Sequence, residues 1–218
     1  MITLKLVDDE IGLELKHVIL NGDGISPEKL IIEMICQKYN GKDKIILYPR
    51  TGIKRQAGLS ALNAIKTLIS RGYRNFIFIV DGEYIEEDED PKGKIKGKLN
   101  AIGIGFGDEI IPLQDAFLLK CSCRPYEFNL FCIILGPEVC IEEEIAKFIE
   151  LKLNVRVNIP EGHKNALWRR TLKQEIRSIL SKRELKRQLR EANLRIIEDS
   201  FPNMCAVLNY IEENFLQI

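Results

Sequence analysis

Asp81 and Glu83 are the residues of this chain best placed to do chemistry. They stand one residue apart where the apolar run Asn75 to Val80 meets the polar stretch that continues to Asp90. A D-x-E pair at a strand end can hold Mg²⁺ through one or two carboxylate oxygens and leave positions open for water and phosphate. Phosphoryl-transfer enzymes use a metal held in this way to offset charge on the transferring group. The plainer reading is that both carboxylates simply begin an acidic, solvated loop.

Two sets of cations could face an anionic partner. Arg50, Lys54 and Arg55 lie in a Gly-containing loop after an apolar segment, but the loop lacks the Walker glycines and the Lys-Ser/Thr pair of a nucleotide-phosphate site. Arg169, Arg170, Lys173 and Arg177, continued by Lys182, Arg183, Lys186, Arg187 and Arg190, form a stripe that can meet a nucleic-acid backbone without regard to sequence. Trp168 adjoins it, in register with the apolar positions, and is expected in the core. The glycines at 103, 105 and 107 lack dinucleotide-site spacing and read as a turn. His17 and His163 stand alone and read as structural. Cys36, Cys121, Cys123, Cys132, Cys140 and Cys205 lie mostly in apolar surroundings, where a thiol acts as a small hydrophobe.

The elements that position these groups follow from pattern. Ile2 to Val7 and Leu13 to Leu20 read as strands joined as a hairpin, and Ser26, Pro27 and Glu28 start a helix that runs to about Lys38. Ile45 to Tyr48 is a strand, residues 60–71 a helix ended by Gly72, and Phe76 to Val80 a central strand. Pro91 to Leu99 alternates Lys with Gly and reads as a loop. Two further strands span 117–122 and 128–135, and a helix carries Ile145, Phe148, Ile149 and Leu153 on one face. From Gly162 the pattern is helical, with a capping box at Ser181 and Glu184 and apolar spacing through Leu185, Leu189, Ala192 and Ile196. Alternation of strands with helices argues an α/β three-layer sandwich around a mostly parallel sheet, over residues 1–158, with a helical extension over 159–218.

Leu13 to Leu20 ends in Asn21, Gly22 and Asp23, and the later strand ends in Asp81, Gly82 and Glu83. Together these pieces, over residues 13 to 84, resemble the Toprim domain of primases, topoisomerases and overcoming-lysogenization-defect type nucleases. In that family a glutamate followed by glycine ends the first strand and acts in acid/base chemistry, and a D-x-D motif ending a later strand binds magnesium. The resemblance implies Mg²⁺ as cofactor, Asp81 and Glu83 as its ligands, and nucleic acid as substrate. The first motif departs: Asn21 holds the glutamate's position, with Gly22 in place and Asp23 two residues on. Asparagine cannot exchange a proton near neutral pH. Either Asp23 takes over that role in a Mg²⁺-dependent nuclease or phosphotransferase, or the chain is a non-catalytic Toprim-like binding or assembly module.

The 32 Lys and Arg balance the 32 Asp and Glu, so net charge gives no argument for a polyanionic partner, but the distribution does. Acid gathers over 81–90 and base over 164–195, which suits either an anionic partner or a match between two parts of one molecule. No apolar run reaches the length of a membrane span, and acids at 8 to 10 stand where a signal peptide is apolar, so a cytoplasmic protein is expected. Abundant Ile, Lys and Glu suggest a thermophilic source, in which intracellular disulfides occur. The apolar faces of the last helices also permit a homo-oligomer.

Overall fold

The computed structural model describes residues 3–7, 17–21, 27–38, 45–49, 58–85, 90–136, 140–162 and 165–215. Seven strands form one sheet: β1 (Thr3–Val7), β2 (His17–Asn21), β3 (Ile45–Pro49), β4 (Asn75–Asp81), β5 (Gly105–Leu113), β6 (Ala116–Cys123) and β7 (Tyr126–Leu135), in the order β1-β3-β2-β4-β7-β6-β5. β4 is central because its apolar run has no polar side to expose, and every residue from Phe76 to Asp81 is buried. Alternate side chains divide between two clusters. Ile77, Ile79, Phe131 and Ile133 enter one, while Phe76, Phe78, Val80 and Leu130 enter the other. Burial on both faces explains why such strands read as unbroken hydrophobic runs.

The chain is α/β with a mixed sheet. β1, β3, β2, β4 and β7 run parallel to their neighbours, but β7, β6 and β5 pair antiparallel. The strands expected over 117–122 and 128–135 form as β6 and β7, whereas the outer strand β5 was not expected, because it starts at Gly105, within glycines read as a turn, and is largely exposed. The connections among these strands are short, with Gln114 and Asp115 joining β5 to β6, and a short connection returns the chain antiparallel. The hairpin expected at the N-terminus is also corrected: β1 and β2 are not neighbours, since β3 lies between them and pairs parallel with each.

The face carrying Phe76 and Phe78 is covered by a 3-10 turn (Gly58–Ala64), α2 (Ile65–Ser70) and α3 (Pro91–Ala101). α3 corrects the expected loop. Asp90 accepts from the amides of Lys92 and Gly93 at 3.1 and 3.2 Å, Pro91 takes the first helical position, and Ile95 and Leu99, four apart, are buried. A good cap and one i,i+4 apolar pair outweigh two glycines, each costing about 1 kcal/mol relative to alanine.

The opposite face carries α1 (Glu28–Cys36), α4 (Ile141–Leu153), α5 (Ala166–Ile179), α6 (Lys182–Glu191), α7 (Leu194–Ser200) and α8 (Pro202–Phe215). The Ser181–Glu184 capping box forms, with Glu184 N–H donating to Ser181 Oγ at 3.3 Å and Ser181 N–H to Glu184 Oε2 at 3.0 Å. The expected continuation through Ile196 is instead broken at Ala192. Asn193 accepts from the Ile196 amide at 2.9 Å and starts α7. Trp168, Leu172, Leu189, Phe201, Met204 and Leu208 share one cluster with Ile19, Phe131 and Ile133, so the core runs across the expected boundary near residue 158. All six cysteines are free thiols. No helix among the described residues is long and apolar enough to cross a membrane.

Candidate functional site

The C-terminal ends of β4 and β7 lie side by side, Asp81 opposite Leu135. After β7 the chain turns through Gly136 at φ 76°, where an added Cβ would lie 2.3 Å from the Cys140 carbonyl oxygen. Only glycine fits a positive φ under that approach. The turn brings the first amides of α4 to the end of β4, and Ile141 N–H donates to Asp81 Oδ1 at 3.4 Å. This is a favourable place for a carboxylate, since both the free amides and the helix dipole attract negative charge.

The other Asp81 oxygen is engaged by the C-terminal helices. Arg169 Nη2 donates to Asp81 Oδ2 at 2.6 Å, and Asp81 is 0% exposed. Arg169 Nε lies 3.6 Å from Glu142 Oε2, and Lys173 Nζ lies 2.8 Å from Glu142 Oε1. Two carboxylates from β4 and α4 thus meet two cations spaced i,i+4 on α5, a spacing that puts both on one helix face. The aim of α5 is fixed at its start. Asn165 accepts from the amides of Leu167 and Trp168 at 3.0 Å each, and the Trp168 indole N–H donates to the Pro160 carbonyl at 2.6 Å. Arg169 follows directly.

Three consecutive glutamates open α4, and all three are buried. Glu142 takes the cations, and Glu143 accepts from the Cys140 amide at 3.2 Å. Glu144 Oε1 accepts from Gly136 N–H at 3.2 Å, while its Oε2 is buried without a hydrogen-bond partner among the described residues. Burial, with the neighbouring Glu143 charge adding to it, pushes the Glu144 carboxyl up to about 8, against the pull of the Gly136 amide. Burial, followed by the carboxylates of Glu142 and Asp81, holds the Cys140 thiol well above its ordinary range. That direction is the opposite of the depressed value on which a reactive thiolate depends.

The candidates read from sequence separate as follows. Asp81 sits at the site, and Glu83 has its backbone in the 3-10 turn Gly82–Tyr84 directly after it. Asn21 ends β2, the parallel neighbour of β4, opposite Ile79. Arg169 and Lys173 turn inward to the carboxylates, whereas Arg170 and Arg177 are exposed. Asp23, Arg50, Lys54, Arg55 and His163 lie outside the described residues. His17 is buried, its ring centroid 5.7 Å from Phe131 and 5.3 Å from Phe215. Glu142 was the residue missed. A signal existed, because Arg169 and Lys173 each follow a buried apolar residue and so lie at the edge of the α5 stripe.

A divalent cation needs carboxylate oxygens free to enter its coordination shell. Both Asp81 oxygens are engaged, one by a guanidinium that already supplies positive charge. As arranged, Asp81 does not fit a Mg²⁺ ligand. Among the described residues no group of three or more His, Cys, Asp or Glu side chains is set to hold a metal. No family model, curated protein or solved structure matches the chain.

Proposed function

We propose that this chain is a Toprim-like, three-layer module whose strand-end carboxylate is answered by its own arginine, and that it works by binding or assembly rather than by cleaving phosphodiesters. The observation that carries this reading is the 2.6 Å contact of Arg169 Nη2 with the fully buried Asp81. Asn21, at the end of the adjacent parallel strand, points the same way, because it cannot serve as the acid or base of the family's chemistry. The pairing also explains the charge asymmetry of the sequence as in part an internal match.

The second reading is a Mg²⁺-dependent nuclease or phosphotransferase, with Asp81 and Glu83 as ligands and Asp23 as auxiliary acid. It is favoured by the placement of Asn21 and Asp81 on neighbouring parallel strands at one end of the sheet. It requires Arg169 to leave Asp81. Mg²⁺ and Mn²⁺ titrations of the full chain, Asp81→Asn and Arg169→Gln, followed by calorimetry and thermal denaturation, separate the two. The module reading expects no saturable binding by the native chain. Each variant should also lose about 3–5 kcal/mol of stability, the usual cost of stranding one partner of a buried pair. Saturable binding by the native chain that vanishes in Asp81→Asn would establish the metal site and overturn the module reading.

A further inference from the structure

With Arg169 and Lys173 of α5 turned inward, a second set of cations remains on the outer side of α5 and on α6. On α5, Arg170 and Arg177 are exposed one heptad apart. On α6, Lys182, Lys186 and Arg190 form one i,i+4 row and Arg183 and Arg187 the next, all exposed except the half-buried Lys186. Leu185 and Leu189 are buried, so packing orients α6 and leaves its basic rows outward. Among the described residues Arg170, Arg177, Lys182, Arg183 and Arg190 make no ion pair, and Arg187 lies in the field of Glu184. Of the acids on these helices, Glu184 closes the Ser181 cap, Glu175 accepts from Asn158, and Glu191, exposed, ends α6 beside Arg190.

We propose that the outer face of α5 and α6 is a docking surface for a nucleic-acid phosphodiester backbone, read by charge and not by sequence. It stands independently of the Asp81 site, since none of its cations takes part there. Five of the seven cations are arginines, whose planar fork matches phosphate oxygens two at a time. A lipid surface is the poorer fit. Leu167, one turn before Arg170, is 71% exposed, but between Arg170 and Arg190 every Leu and Ile is buried or half-buried, so the basic rows carry no continuous apolar face of the kind that interfacial helices sink beside theirs.

The test is fluorescence anisotropy of a labelled DNA duplex of about 20 base pairs and arbitrary sequence, with the full chain, over about 50 to 200 mM NaCl. The slope of log affinity on log salt is about −0.9 per phosphate contacted, so five contacts give roughly a 500-fold loss over that range. Arg170→Gln with Arg177→Gln, and separately Arg183→Gln with Arg187→Gln, should each weaken binding about tenfold or more and reduce the slope by about 1.8. Thermal melts should match the native chain, since these side chains are exposed. No duplex binding at about 50 mM salt, affinity and slope unchanged in both variants, or binding to phosphatidylserine vesicles without duplex binding would each overturn the proposal.

Discussion

Glu144 concentrates the cost of burying acids at the start of α4. Its carboxyl is pushed up to about 8, above the ordinary 4.5 of an exposed glutamate. The unfolded chain therefore releases this proton at lower pH than the folded one. The contribution to stability is complete below about 4.5 and is lost as pH rises through about 8. The native chain should melt at progressively lower temperature across that window, and Glu144→Gln should remove most of the decline. An unchanged pH dependence in the variant, followed by circular dichroism, would show that Glu144 does not carry it. Asp81 was legible in the sequence as a special carboxylate because it ends an apolar strand. Its partner was not, because the 88 residues separating it from Arg169 carry no local pattern joining them.

Among elements, the join between α1 and α6 depends on one lysine. Lys38, just past the end of α1, donates to the carbonyls of Arg190 and Ala192, the latter at 2.8 Å. Arg190 is in the last turn of α6 and Ala192 caps it, where carbonyls lack helical partners and a cation is favoured by the dipole. Burial, with Lys152 nearby, lowers the Lys38 ammonium below its ordinary range. Lys38→Met should cost about 1–2 kcal/mol, read by urea denaturation, with the loss of amide protection largest in α6; equal protection would refute the clamp. Caps explain which helices the sequence revealed. The Ser181–Glu184 box was visible because its two residues are local, whereas α3 was hidden by Gly93 and Gly97 although Asp90 and Pro91 marked its start. β5 was hidden because exposure removes the apolar alternation that reveals a strand.

At the scale of the whole molecule, the helices after residue 162 behave as core rather than appendage. Phe201, Met204, Val207 and Leu208 are buried in the cluster that covers Phe131 and Ile133. Cutting the chain after residue 162 would uncover that face, at about 25 cal/mol for each Å² of apolar surface returned to water. The shortened chain should lose cooperative melting and near-ultraviolet dichroism; a sharp, reversible transition would instead show an independent domain. A sequence divides by secondary structure, and the segment looked separate only because its strands had ended. Gly136 sets a different limit. With the Cys140 carbonyl 2.3 Å from where a side chain would begin, this position leaves natural variation almost nothing to work with. Any divergence of the strand-end site must therefore come through the helices on either side of it, where a change at Glu142, Arg169 or Lys173 can alter the charge beside Asp81 without rerouting the chain.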